Sequence, residues 1–257
     1  MTILRSIAMA FAMFSRLPVP SVDWNQRNMR YMMAGFPLVG MVIGLLLFGW
    51  ANICRWLNLD GVLTACGLTL LPIGVTGGIH LDGFCDTVDA LSSHADAKRK
   101  CEILKDPHMG AFAAIGLASY LLLYFSLCYT LVLSRSAMTL LFFIPIISRV
   151  LSAFSVISLP CENGAGTLHS FADAADKRVV FGALFVLLAT CAAVMLTVSP
   201  VVGAMVLITA TGCFGWLARV AQKEFGGMRG DIAGWFLQLC ELLSLGILVI
   251  SQKGGWM

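Results

Sequence analysis

The chain has 257 residues, of which 59% are hydrophobic and only 12% are charged, and its mean hydropathy is +0.88. A soluble domain carries roughly 25% charged residues, so this composition excludes an ordinary soluble protein and indicates a membrane-embedded one. The net charge of +3 is too small to predict a nucleic-acid partner. The nine cysteines lie at least twelve positions apart, which argues against a zinc site of the CxxC kind.

The first twenty residues contain apolar stretches that are interrupted by Arg5 and Arg16, and they include no small-residue cleavage motif. This pattern differs from that of a secretory signal peptide. It predicts an interfacial helix that leads the chain into the membrane.

Long uncharged stretches predict the transmembrane helices, because a helix needs about 20 mostly apolar residues to cross a bilayer. The sequence predicts an all-α, polytopic transmembrane helix bundle that forms a single integral membrane domain over residues 1–257. We expect seven spans, at residues 33–56, 61–79, 110–133, 137–159, 180–198, 201–219 and 233–251. The second span is short and rich in glycine and proline, so we expect it to be broken or re-entrant.

The basic residues are distributed unevenly between the two sides of this predicted bundle. One side receives the N-terminal segment and the connections 80–109, 160–179 and 220–232. Thirteen of the 17 Lys and Arg residues fall on that side, counting Arg219 at a span end, and three fall on the other, with Arg149 inside a span. The rule that cytoplasmic loops are rich in Lys and Arg predicts a multi-pass protein of the cytoplasmic (inner) cell membrane. Nearly all acidic residues share the basic side, so we expect the active site to face the cytoplasm.

Three aspartates follow the second predicted span, Asp82, Asp86 and Asp89, with the spacing i, i+4, i+7. On a helix this spacing places three carboxylates on one stripe, where they repel one another unless a cation lies among them. A solvated helix face would include basic residues, but none occurs between Arg55 and Lys98. Oxygen ligands suit Mg²⁺, which binds one or two carboxylates together with substrate phosphates. The stripe therefore predicts a site for Mg²⁺ and phosphate.

Other polar residues are candidates for substrate contacts, each with a structural alternative. His80 could contact a phosphate or a leaving group, or be an interfacial histidine that the backbone satisfies. Lys105 and Asp106, directly before the third span, are either a phosphate-binding pair or a membrane anchor with a helix cap. Arg149 and Glu241 lie inside spans, where ionisable groups face a polar cavity or a partner. They could line a substrate cavity, pair with each other, or do both.

The segment that opens the last predicted span, residues 226–231, has three glycines in five positions. Glycine lets backbone N–H groups approach an anion closely, and Arg229 in the same segment is a candidate for substrate binding. Asp231 either caps the following helix or adds a carboxylate to the metal site.

Two further segments predict packing and cover rather than chemistry. Gly40 and Gly44 form a GxxxG pattern on the first span, which is typical of close helix–helix contact in membranes. The connection 160–179 is polar and rich in glycine, and it is long enough to cover a site on the cytoplasmic side.

These motifs together resemble the cobalamin synthase family, the adenosylcobinamide-GDP ribazoletransferases. The most specific block is GG-x-HLDG-xx-DT-x-D at residues 77–89. Further matching blocks occur in the family's order at residues 15–20 (SRLPVP), 36–40 (FPLVG), 105–110 and 226–234, and at Glu241. The resemblance thus covers the whole chain.

The resemblance implies an Mg²⁺-dependent phosphotransferase of the last steps of cobalamin biosynthesis. A ribose hydroxyl of α-ribazole, or of its 5′-phosphate, would attack the cobinamide-side phosphorus of adenosylcobinamide-GDP, releasing GMP and forming adenosylcobalamin or its phosphate. The implied partners are these two substrates and the lipid bilayer, with homo-oligomerisation left open. The candidate catalytic residues are Asp82, Asp86, Asp89 and Lys105; the candidate metal ligands are Asp82, Asp86, Asp89 and Asp231; the candidate substrate-binding residues are His80, Asp106, Arg149, Arg229 and Glu241.

Two other classes of protein fit parts of the pattern less well. A CDP-alcohol phosphatidyltransferase also joins an alcohol to an activated phosphate, but its motif has Ala-Arg where this chain has Cys85 and Asp86. A cation transporter would place its carboxylates near the bilayer midplane, whereas nearly all those of this chain lie at one face.

Overall fold

The computed structural model describes residues 2–161 and 167–256, which form twelve α-helices and no β-strand beyond a single bridge between Cys161 and Met228. The helices are α1 (Thr2–Phe14), α2 (Gln26–Met29), α3 (Met32–Leu57), α4 (Gly61–Thr76), α5 (Ile79–Ser92), α6 (Ala97–Ile103), α7 (Ala111–Thr130), α8 (Arg135–Ser158), α9 (Thr167–Ala174), α10 (Lys177–Val198), α11 (Pro200–Phe225) and α12 (Gly230–Lys253). The predicted all-α bundle is confirmed.

Six of these helices are long and apolar enough to cross a membrane: α3, α7, α8, α10, α11 and α12. Helices α4 and α5 pass the same test only as a pair, and they are bent by 93° with respect to each other. The count is seven if this pair is one span, which agrees with the predicted number and with the predicted break. Helix α4 occupies the predicted second span, and α5 lies in the connection that follows it.

The break between α4 and α5 is made by two consecutive glycines in the left-handed region, Gly77 (φ +66°) and Gly78 (φ +83°). Residues other than glycine rarely adopt this backbone conformation, because their Cβ atom then crowds the backbone. Arg16 packs against the break: its backbone N–H donates to the Val75 carbonyl at 2.8 Å, and a Cβ on Gly77 would lie 2.4 Å from its Nε. The break therefore turns α5, with its aspartates, away from the axis of α4.

Helices α8 and α12 form the centre of the bundle, since 83% and 78% of their most apolar stretches are buried, against 22% for α7 and α10. The outer helices expose large apolar side chains such as Leu122, Phe185 and Ile208. A contiguous apolar exterior on helices of this length suits contact with lipid.

Two close helix contacts hold this arrangement together. Helix α3 meets α8 through Gly40 and Gly44, where an added Cβ would lie 2.3 Å from the carbonyl oxygens of Pro145 and Phe142, respectively. The GxxxG prediction is confirmed. At the N-terminus, α1 packs on α3 near Gly35, where an added Cβ would lie 3.2 Å from the Cβ of Ala10. The 13 residues of α1 form a short apolar helix where the sequence predicts an N-terminal interfacial helix, and its position at the membrane interface stays a prediction.

Candidate active site

A cavity of about 530 Å³ lies at one end of the bundle, where α1 and α8 end and α3, α5 and α12 begin. All four segments that the charge pattern assigns to one side of the membrane contribute to its wall. Among its lining residues are five polar or charged side chains that the sequence singled out: His80, Asp82, Lys105, Arg229 and Asp231. The structure thus brings together residues separated by up to about 150 positions in the chain.

Asp82 and Asp231 meet because α5 and α12 cross with almost no side chain between them. A Cβ on Gly83 would lie 2.8 Å from both Cα and the carbonyl oxygen of Asp231, and one on Gly234 would lie 3.0 Å from the carbonyl oxygen of His80. Both aspartates lie in the first turn of their helices. The unpaired N–H groups at a helix start carry partial positive charge, which stabilises carboxylates there.

Asp86 lies one helical turn after Asp82 and is half-buried. Burial, together with the negative charges of Asp82, Asp231 and Asp89, raises the pKa of Asp86 to about 6. This mutual effect places the four carboxylates in one electrostatic neighbourhood. A divalent cation would relieve the repulsion among them.

The described His, Cys, Asp and Glu side chains include no group of three or more arranged to hold a metal ion. Mg²⁺ differs from most transition metals in this respect, because it keeps several waters and takes one or two carboxylates plus phosphates of the substrate. Carboxylates from two crossing helices therefore fit a site that a bound diphosphate would complete.

Asp89 has a different environment from the other two aspartates of the stripe. Its Oδ2 accepts a hydrogen bond from the backbone N–H of Gly110 at 2.6 Å, and its Oδ1 accepts one from Ala113 at 2.9 Å. It thereby caps α7, whose N-cap residue Gly110 has no side chain of its own. A Cβ on Gly110 would lie 2.1 Å from Oδ2. Asp89 is not among the residues lining the cavity, and its role as a metal ligand or catalytic group stays a prediction.

Lys105 and Asp106 have different environments although they are adjacent in the chain. Lys105 lines the cavity. The Asp106 carboxylate instead accepts a hydrogen bond from the backbone N–H of His108 at 2.9 Å and contacts the Nδ1 atom of the same residue at 2.7 Å. The hydrogen bond from the backbone and, to a smaller extent, the contact with the His108 side chain hold the pKa of Asp106 below its usual value. Asp106 shapes the turn that positions Lys105, and the structure does not place it on the cavity wall; its substrate-binding role stays a prediction.

Arg149 and Glu241 form an ion pair at the centre of the bundle. Nη1 of Arg149 lies 2.6 Å from Oε1 of Glu241, which also accepts a hydrogen bond from the Ser148 hydroxyl at 2.8 Å. The two side chains are 1% and 4% exposed. Neither is among the residues lining the 530 Å³ cavity. The structure therefore contains the ion pair that the sequence offered as one alternative, and substrate binding by these two residues stays a prediction.

Three rings form one part of the cavity wall, called the aromatic wall below: Phe14 of α1, Phe36 of α3 and His80 of α5. The ring centroids are 4.1 Å apart for Phe14 and Phe36, 5.7 Å for Phe36 and His80, and 6.3 Å for Phe14 and His80. His80 is 6% exposed, and its Nε2 has no hydrogen-bond partner among the described residues. Burial lowers the pKa of His80 well below its usual value, so the imidazole is neutral.

The apolar part of the cavity was missed from the sequence. Phe14 and Phe36 come from helices read as an interfacial helix and a first span, and Leu168 and Phe171 come from α9. The spacing i, i+3 on α9 is a local signal for an apolar helix face. Helix α9, in the connection 160–179 that was expected to cover a site, contributes side chains to the cavity wall. Residues 162–166 of that connection lie outside the described part of the chain.

The fold and the cavity define a polytopic α-helical membrane protein with a cavity at one end of its bundle, lined by both acidic and basic side chains. Residues 6–249 match the family model of cobalamin-5-phosphate synthase. The chain belongs to this family.

The chain is also similar to curated proteins named adenosylcobinamide-GDP ribazoletransferase. One from Lachnoclostridium phytofermentans is 41% identical over 251 residues, covering 98% of this chain and 95% of the relative. Others come from Clostridium perfringens (32% over 250 residues, 95% and 98% coverage) and Geobacillus kaustophilus (31% over 248 residues, 93% of both chains). No solved structure matches the chain. These likenesses do not favour the phosphatidyltransferase or the transporter alternative.

Proposed function

We propose that this protein is an adenosylcobinamide-GDP ribazoletransferase. It joins the cobinamide phosphate of adenosylcobinamide-GDP to a ribose hydroxyl of α-ribazole or its 5′-phosphate, and it releases GMP. The observation that carries the proposal is the convergence of Asp82, Asp231, Lys105 and Arg229 on one cavity in a chain that belongs to the cobalamin-5-phosphate synthase family.

The reaction exchanges one bond to phosphorus for another. The ribose oxygen forms a new bond to the cobinamide-side phosphorus, the bond from that phosphorus to the bridging oxygen breaks, and GMP leaves with the electron pair. The hydroxyl proton passes to a carboxylate of the site. Lys105 and Arg229 supply positive charge to the phosphates, with the guanidinium suited to contact two oxygens of one phosphate at once. Catalysis of this kind consists mainly of positioning and charge stabilisation.

A magnesium ion would be held by Asp82, Asp86 and Asp231, on the argument from their shared negative potential. When bound, it would neutralise charge on the diphosphate and on the leaving GMP. The protein's own residues bring the acceptor hydroxyl and the phosphorus together.

The location proposed for the protein is the cytoplasmic membrane, with the cavity facing the cytoplasm. The support is the charge pattern: the four segments that build the cavity carry twelve of the 17 Lys and Arg residues, and Arg219 lies at the end of a span on the same side. The volume also fits the donor's size. A cavity of about 530 Å³ holds a nucleoside and its phosphates, so the much larger corrin ring must remain at the mouth.

The test uses purified protein in detergent with Mg²⁺, adenosylcobinamide-GDP and α-ribazole, and it measures released GMP. We expect turnover that stops when EDTA removes the metal. Asp82→Asn should abolish GMP release, whereas Asp60→Asn should not. Asp60 is a matched control because it caps α4 through Leu63, outside the cavity, and asparagine caps a helix start as well as aspartate does.

Well-folded wild-type protein that releases no GMP would refute the proposed activity. Turnover that persists in EDTA would refute the metal assignment while leaving the activity intact. Full activity of Asp82→Asn would show that the cavity is not the active site.

A further inference from the structure

The aromatic wall is an apolar cluster of rings, tilted by 23° to 53° with respect to one another, that contains one buried polar atom without a partner in the described part of the chain. Phe14 and Phe36 contribute only carbon, and Nε2 of His80 is the polar atom, buried and without a hydrogen-bond partner among the described residues. The neighbouring lining side chains Met13 and Met33 extend the apolar surface. A buried polar group without a partner is destabilising, and a ligand that forms a hydrogen bond with it would recover that loss.

Two flat heteroaromatic bases lie next to the reacting groups of the proposed reaction, the guanine of the GDP group and the base of α-ribazole, and these two bases differ in polarity. Guanine presents several donors and acceptors along its edge, and burying them against Phe14 and Phe36 would leave most of them unpaired. The benzimidazole of α-ribazole has one ring nitrogen bonded to ribose and one unsubstituted ring nitrogen, and the rest of its edge is apolar. One polar atom on the wall matches one polar atom on this base.

The position of the wall fits the same substrate. His80 lies two residues before Asp82 on α5, and both line the cavity. A nucleoside whose base lies on the aromatic wall would therefore extend its ribose towards the carboxylates. A guanine in this position would instead carry its phosphates across them and displace the acceptor.

We propose that the aromatic wall binds the benzimidazole base of α-ribazole, with Nε2 of His80 forming a hydrogen bond to the unsubstituted ring nitrogen. The inference rests on the proposed function, which supplies the ligand. It makes His80 a determinant of base recognition and separates it from the phosphate-binding residues.

The experiment measures the KM of each substrate separately for wild type and His80→Leu, which keeps the apolar bulk and removes the hydrogen bond. We expect the KM for α-ribazole to rise about three- to tenfold, the range for one neutral hydrogen bond, and the KM for adenosylcobinamide-GDP to stay unchanged. With an acceptor in which CH replaces the unsubstituted nitrogen, an indole riboside, the two proteins should have equal KM values. His169→Leu is the matched control, since His169 pairs with Asp173 and does not line the cavity.

A second variant covers the case in which His80→Leu does not fold, which its thermal unfolding in detergent would show. Phe14→Leu removes one ring of the wall at a half-buried position and should raise the KM for α-ribazole about two- to tenfold, the range for an aromatic contact.

A rise in the KM for adenosylcobinamide-GDP would place guanine on the wall and overturn the proposal. An equal effect of His80→Leu on α-ribazole and on the indole riboside would also overturn it, because no hydrogen bond would then be involved. Absence of GMP release from wild-type protein is a different result, since it would refute the proposed function itself.

Discussion

The cap that Asp89 forms on α7 leads to a prediction that separates two roles for this residue. Its two carboxylate oxygens accept hydrogen bonds from Gly110 and Ala113, 21 and 24 residues away in the chain. A hydrogen bond to a charged group contributes about 1.5–3 kcal/mol, and the negative charge at a helix start adds about 0.3–1 kcal/mol. Asp89→Ala removes both bonds and should destabilise the first turn of α7 by about 3 kcal/mol. Asp89→Asn keeps one acceptor oxygen and should cost about half as much.

Hydrogen–deuterium exchange of the peptide around residues 109–115, in detergent, measures this directly. A loss of about 3 kcal/mol corresponds to exchange up to about 100-fold faster at the amides of the first turn if they exchange by local opening. Asp86→Asn is the matched control, because Asp86 lies one turn earlier on the same stripe and should leave the exchange of α7 unchanged. GMP release at saturating Mg²⁺ is measured in parallel, since the cap also fixes the turn that carries Lys105.

The alternative role gives the opposite pattern. If Asp89→Asn leaves the exchange of α7 unchanged but raises the Mg²⁺ concentration needed for turnover, then Asp89 is a metal ligand and the capping argument is wrong.

Three further predictions concern charge and packing at the cavity and in the centre of the bundle. Because a metal must displace the proton of Asp86, whose pKa is about 6, Mg²⁺ should bind about tenfold more weakly at pH 5 than at pH 7, and calorimetric titration of Asp86→Asn should lose that dependence. Gly83→Ala should force α5 and α12 apart and lower GMP release by roughly 10- to 100-fold, whereas Gly182→Ala, with no described atom within 4 Å of the new Cβ, should be neutral in the same assay. Arg149→Met should leave the Glu241 carboxylate buried without a partner and lower the free energy of unfolding by about 3–5 kcal/mol, measured by thermal unfolding. Adding Glu241→Gln should restore most of this stability. A double variant as unstable as Arg149→Met would contradict the prediction.

Helices and spans could be predicted from the sequence because their signals are local. An uncharged run of sufficient length defines a span, and the paired glycines at Gly77 and Gly78 mark the break in the second one. Charged residues of the cavity could also be predicted, because the acidic and basic residues gather on one side of the predicted bundle, where a site for a charged substrate would lie. The signals for the spans and for the break are local in sequence, and the signal for the cavity is the side of the membrane that the charged segments share.

The division of the aspartate stripe could not be predicted from spacing. Positions i, i+4 and i+7 share one side of a helix, but at 1.5 Å per residue Asp89 lies roughly 10 Å along the axis from Asp82. Over that length the stripe passes from α12, beside Asp82, to the start of α7. The neighbour at each position depends on helix packing, and so does the choice between an ion pair and a substrate contact for Arg149 and Glu241.

The end of the bundle also reconciles two opposed requirements of the proposed reaction. A flat apolar base needs a wall from which water is excluded, while a diphosphate needs unneutralised charge and access to solvent. In the centre of the bundle a charge is tolerated only when it is cancelled, as Arg149 and Glu241 cancel each other. At the end of the bundle, the first turns of α5 and α12 present Asp82 and Asp231 to the cavity, while the rings of the aromatic wall lie beside them. The charged side chains that line the cavity therefore lie at the end of the bundle, whereas the two charges in its centre neutralise each other.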